Sequence, residues 1–243
     1  MARQGIAVCP VLTEMSPDDA ESRALQAATA IPSESIQALR LNAEEEERLA
    51  QAVYGRDGLP IHYDGGGFDP FDRIRARLKR LTRLQGIRLA IIDHFHDMTP
   101  IDPRKSDAEQ KNELAKKLKE LAKDLQIPII VFAQAKRWEP MGGVIKAYKD
   151  IPWPNIQMFQ GSAGIEQSAD KMVVIHRPEW FLEQFKPASP GEEWQNAMFT
   201  WKNKTLLVIP KSRNSQGNRQ VSCFFNGPLQ RFQYEDPRDE ALI

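Results

Sequence analysis

The chain has 243 residues, with 33 basic and 33 acidic side chains that cancel, so bulk charge argues for no particular partner and any nucleic-acid contact must come from a local patch. Its two cysteines, Cys9 and Cys223, sit in apolar strand-like runs, which excludes a disulfide framework and suits a reducing cytosol. No run approaches the ~18 apolar residues of a membrane span, and residues 1–4 lead into too short an apolar run for a signal peptide. The expectation is a soluble cytoplasmic protein with no membrane partner.

Residues 6–12 read as a buried strand, followed by Glu14 and a Ser16-Pro17-Asp18-Asp19 helix start. Residues 18–54 are mostly helical, broken near Pro32 and Asn42, and Glu44 to Glu47 form a solvated face. Ile61-His62-Tyr63 is a candidate short strand, and Gly65-Gly66-Gly67 a turn. Ile74, Leu78 and Leu81 have helical spacing, in a segment crowded with Arg73, Arg75, Arg77, Lys79, Arg80 and Arg83. Those cations read as a solvated exterior or as a nucleic-acid face.

RLAIIDHFHDM, residues 88–98, is the most informative stretch. Its apolar run delivers one carboxylate, Asp93, to a strand's C-terminal end, where open α/β sheets collect ligands. An acid there either holds the water shell of Mg²⁺ or merely starts a turn. A charged amphipathic helix over 107–125 follows, then a buried strand over 128–133 ending at Gln134. Residues 138–154, rich in Gly, Pro and aromatics, read as a mobile loop. The polar turn Gln160-Gly161-Ser162-Ala163-Gly164 precedes a third inner strand over 172–175, and 178–193 read as a surface excursion. Strands are expected at 197–201, 206–210, 221–225 and 230–233, the middle pair joined by a polar hairpin loop containing Lys211 and Arg213. This pattern predicts a single α/β domain over 1–243, a mostly parallel sheet flanked by helices with antiparallel C-terminal strands.

Five segments in order resemble the C-terminal, RecA-like motor domain of DnaB-type replicative DNA helicases. They are VLTEMS (11–16), LAIIDHF (89–95), LAKDLQIPIIVFAQAKR (121–137), GSAGIEQSAD (161–170), and PKSRNSQG (210–217) with FNGPLQRF (225–232). The resemblance implies a hexameric ATPase working with ATP and Mg²⁺ on single-stranded DNA, beside other replication proteins. It implies that Asp93 holds Mg²⁺ through water, Glu14 polarises the attacking water and Gln134 senses the γ-phosphate. Lys211 and Arg213 would reach a neighbouring subunit's nucleotide, and Gln160, Gly161, Ser162, Ala163 and Gly164 would face DNA through exposed backbone N–H groups. Read alone, Glu14 is a helix-entry acid, Gln134 a strand-end polar residue, Lys211 and Arg213 solubilising charges, and 160–164 a glycine-rich helix cap.

Two departures matter. The family's phosphate cradle, GxxxxGK[ST], is absent, and Gly65-Gly66-Gly67 lacks the Lys-Ser/Thr pair and helix start that would replace it. The bacterial helicases usually carry Arg-Glu where Gln160-Gly161 stands. The expectation is a truncated or split motor domain, without the N-terminal collar, that does not turn over ATP unaided. The cradle strand would lie beside the strands at 128–133 and 172–175, so its absence predicts two unpaired edges, either closed by rearrangement or left open. The competing expectation is a nucleotide-independent DNA-binding or ring-modulating subunit that kept the fold and lost the ATPase. A metallohydrolase built on His94 and His96, sharing one face of an extended segment, lacks ligands, since only His62 and His176 remain.

Overall fold

A computed structural model describes the chain except residues 66–68, 99–101, 103, 136–137, 159–161, 214–218 and 235–243. The chain gathers into two compact units, residues 1–135 with 159–169 and residues 136–158 with 170–243.

The first unit is built on a parallel sheet. β1 (Val8–Leu12) leads into helices α1 (Pro17–Thr29), α2 (Ser33–Gln37), α3 (Ala43–Tyr54) and α4 (Phe71–Gln85), then β2 (Leu89–Asp93), α5 (Asp107–Leu125) and β3 (Ile129–Val131). The strand order is β1-β2-β3, with Leu12 opposite Asp93 and Ala90 opposite Ile129. α1, α3 and α5 start where Ser16, Asn42 and Ser106 form reciprocal capping boxes with Asp19, Glu45 and Glu109. Phe71, Ile74 and Leu78 of α4 and Leu114, Leu118 and Leu121 of α5 bury one helical stripe each in the core with Cys9, Val11, Ala90 and Ile92. α6 (Ser162–Ser168) packs on α5.

The two margins of this sheet differ. Beside β1, the anticipated short strand is a lane of backbone: His62 N–H donates to the Val8 carbonyl and Asp64 N–H to that of Pro10. Pro10 has no N–H to offer on that side, which limits the pairing to isolated bridges at Ile61 and Asp64. Asp64, nearly buried, is held by the Arg77 Nε at 2.7 Å, and Arg77 also meets Asp69 at 2.6 Å. On the other margin no strand among the described residues pairs with β3, and Ile130 and Phe132 are exposed.

The second unit carries an antiparallel sheet in the order β4-β5-β6-β7: β4 (Lys171–His176), β5 (Lys204–Ser212), β6 (Arg219–Asn226) and β7 (Arg231–Tyr234). β4 was expected inside a sheet; it pairs only with β5 among the described residues and exposes Val173 and Ile175. Both anticipated edges are therefore open rather than closed by rearrangement.

Three other expectations are corrected. Residues 197–201 are not a strand but the end of α8 (Glu192–Trp201); Ala-Met-Phe-Thr-Trp alternates like a strand, yet Trp194, Ala197 and Trp201 face one core at helical spacing. The excursion over 178–193 holds α7 (Pro178–Gln184). The supposed mobile loop is packed: Ile145 and Ile151 are buried with Leu182 and Trp194, Trp138 lies edge-on to Phe181 and Phe185, and Tyr148 stacks on Trp201 at 4.6 Å. No described helix is long and apolar enough to cross a membrane.

Candidate functional site at the carboxyl ends of the parallel strands

The parallel register brings β1 and β2 to end side by side, because Leu12 faces Asp93. Thr13 pins the junction. Its N–H donates to the Asp93 carbonyl at 2.8 Å, and its hydroxyl lies 2.7 Å from that carbonyl and accepts from the His94 N–H at 2.9 Å. β3 is tied in by Phe132 N–H to the Ile92 carbonyl and Phe95 N–H to that of Phe132, at 2.9 and 2.8 Å. These backbone bonds fix three strand ends, so the polar residues just beyond them converge.

They line an open depression of about 330 Å³ formed by Glu14, Asp93, His94, Phe132, Ala133 and Gln134. Three of the site residues expected from sequence therefore meet: Glu14 beyond β1, Asp93 ending β2 and Gln134 beyond β3. Glu14 is half-exposed, with 54% of its side chain accessible, and can orient a water or accept its proton. Asp93, half-buried, presents the carboxylate at a strand end that suits a hydrated divalent cation. Gln134 is exposed and offers both a donor and an acceptor.

The donors present thus fit an ion and a water. They do not fit a triphosphate by themselves, because the sequence has no Gly-rich loop with a Lys-Ser/Thr pair opening a helix.

Sequence reasoning missed two contributors. Thr13 follows β1 directly, and the Asp97 Oδ2 lies 3.0 Å from its hydroxyl and 2.8 Å from His94 Nδ1. The only local signal was two polar residues, Thr13 and Glu14, after an apolar run. The anticipated pairing of His94 with His96 does not form, because Phe95–Asp97 is a 3₁₀ turn rather than an extended segment. His96 stands with its ring 5.6 Å from that of His94, and burial, then Lys111, lowers its pKa.

The other expected site residues lie elsewhere. Lys211 ends β5 opposite Met172, and Arg213 follows, its guanidinium 3.4 Å from Asp170 and its N–H on the Asp170 carbonyl. Gln160 and Gly161 lie outside the described residues. Ser162, Ala163 and Gly164 open α6. Gly164 corrects one expectation: its N–H is not exposed to a DNA backbone but donates to the Asn112 Oδ1 of α5 at 2.8 Å. A Cβ there would come within 2.5 Å of the Asn112 Cα, so only glycine allows this approach.

Comparison with known proteins points one way. Residues 1–234 match the family model of the DnaB-like helicase C-terminal domain. The replicative DNA helicase DnaB of Helicobacter pylori is 29% identical over 261 residues, covering 98% of this chain and 51% of that protein. Its counterpart in Rickettsia bellii is 25% identical over 227 residues, covering 90% of this chain and 44% of that protein. The chain thus spans about half the length of these curated relatives. Among solved structures, one of an isolated ATPase domain superposes with a TM-score of 0.79 at 19% identity, over 97% of this chain and 76% of that one. The structure of a DnaB-like replicative helicase and its interactions with primase also gives 0.79 at 19% identity, over 97% of this chain and 52% of that one. These likenesses establish the RecA-like α/β fold.

Proposed function

The chain belongs to the DnaB-like helicase C-terminal domain family, and from that premise we propose that it is a motor portion of a replicative DNA helicase, moving along single-stranded DNA in a hexameric ring at the expense of ATP. The observation that carries this reading is the convergence of Glu14, Asp93 and Gln134 on one depression at the ends of three adjacent parallel strands. In this reading Asp93 holds the water shell of Mg²⁺, Glu14 orients the attacking water and Gln134 responds to the γ-phosphate. Lys211 and Arg213 act on a neighbouring subunit's nucleotide. Phosphoryl transfer is catalysed by positioning and charge, and these side chains supply both.

Hydrolysis also needs a phosphate-binding loop, which is not among these 243 residues. That observation favours a second reading, a nucleotide-independent subunit that binds DNA or modulates a ring.

One experiment separates them. The chain alone, and the chain fused behind a strand–GxxxxGK[ST]–helix segment, are assayed for ATP hydrolysis with and without single-stranded DNA. The motor reading expects no turnover from the chain alone and DNA-stimulated turnover from the fusion. Arg213→Ala should then lower kcat by roughly 10³-fold or more with nucleotide binding nearly intact. Glu14→Gln should do the same, and rings mixed from the two variants should regain some activity. DNA binding without hydrolysis in either form supports the second reading.

A further inference from the structure

We propose that Glu14, His94 and Asp97 form a binding site for one divalent transition-metal ion, separate from the hydrated Mg²⁺ read onto Asp93. The inference rests on the geometry of the strand ends and stands whether or not the chain serves a motor.

His94 is the centre of the argument. It is 6% exposed, and neither ring nitrogen has a hydrogen-bond partner. Buried imidazole nitrogens are normally satisfied, so a bare pair calls for an explanation. Both are nonetheless next to oxygen: Asp97 Oδ2 lies 2.8 Å from Nδ1 but off the ring N–H direction, and Glu14 Oε1 lies 3.8 Å from Nε2. One donor atom from each of the three residues falls within 4.8 Å of the other two. Three ligands on a tetrahedral ion with bonds of ~2.0–2.1 Å stand about 3.3 Å apart. The cluster closes to that spacing by a small swing of the half-exposed Glu14 side chain.

The surroundings suit an ion as well. The Thr13 hydroxyl, 3.0 Å from Asp97 Oδ2, orients that carboxylate from behind, as outer partners of metal ligands do. Two carboxylates balance a double positive charge. One imidazole with two carboxylates favours Zn²⁺ and similar ions over Mg²⁺, which takes oxygen ligands in near-ideal octahedral geometry. Three protein ligands leave a fourth position for water. Competing thiolates are out of reach: Cys9 and Cys223 are buried, and burial, helped by Asp64, pushes the Cys9 thiol up to about 12. Among the described residues no other trio of His, Cys, Asp or Glu comes together in this way.

The test uses the whole chain, stripped with chelator and titrated with Zn²⁺ against a chromophoric competitor. One ion per chain is expected, and a large excess of Mg²⁺ should not displace it. His94→Gln and Glu14→Gln should each weaken binding at least about tenfold, because each removes a ligand. Glu14 is half-exposed, so its variant keeps the fold, which circular dichroism checks for both. His96→Gln should change affinity less than about twofold. Co²⁺ should give the visible absorption of a tetrahedral site in the wild type and lose it in His94→Gln. Failure of the wild type to take up stoichiometric Zn²⁺ overturns the proposal. So does wild-type affinity in folded His94→Gln, or an equal loss in His96→Gln. None of these readouts uses ATP, so they are independent of the helicase reading.

Discussion

The two compact units bury polar groups in opposite ways. The parallel unit concentrates them at strand ends and one margin, where Thr13, Asp64, Asp69 and His94 are buried among partners drawn from distant sequence. The antiparallel unit instead encloses aromatic bulk: Trp138, Tyr148, Phe181, Phe185, Trp194 and Trp201 gather around Ile145 and Leu182. Among its described residues only His176 and Thr205 are polar and buried. A parallel sheet aims side chains from several strands at one spot and accepts the desolvation cost of keeping them polar. An aromatic cluster gives a small unit stability without chemistry.

The largest test of this contrast removes the aromatic centre. Trp194 is buried and its indole N–H donates to the Leu182 carbonyl at 3.2 Å, so Trp194→Ala should destabilise the antiparallel unit by about 3–5 kcal/mol. Hydrogen exchange resolved by segment should place the loss in residues 136–158 and 170–226, with the parallel unit's core protected as before.

A titration sharpens the same point. Burial against Trp153 and Phe181 lowers the His176 pKa from 6.5 to about 4. The unfolded chain therefore binds this proton first, and stability present above pH 6.5 is lost as pH falls toward 4. Between pH 7 and 4.5 that loss is about 2–3 kcal/mol. His176→Phe should remove that much of the pH slope in urea unfolding curves; an unchanged slope means the imidazole is already solvated.

The smallest effect on stability probes the open margin. Ile130 is 47% exposed on β3, so Ile130→Lys should shift stability by less than about 0.5 kcal/mol. Light scattering should nevertheless fall, since a charge on an unpaired edge opposes strand-to-strand association. A loss above about 2 kcal/mol would mean this margin is covered.

What could be read without coordinates follows the range of the interactions. β1, β2 and α5 were legible because apolar runs, helical stripes and capping residues are local signals. The meeting of Glu14, Asp93 and Gln134 was legible because each follows an apolar strand. The roles of Thr13 and Asp97 were not, since they lie 84 residues apart and meet only through the β1–β2 register. The packing of residues 138–154 was hidden for a like reason: Trp138 looks like loop composition until Phe181 and Phe185 are beside it. α8 was misread because its last five residues satisfy both a period of two and one of 3.6.

The Thr13 pin also bears on when the site comes into being. Its bonds to Asp93 and His94 close loops of 80 and 81 residues, contacts that a folding chain forms late because their closure entropy must be met before they reward it. A slip of one residue between β1 and β2 would leave Thr13 facing the wrong backbone and scatter the carboxylates. The depression at the strand ends therefore has no partly folded precursor: it is absent until the parallel register is complete, and its hydrogen bonds report that the correct topology has been reached.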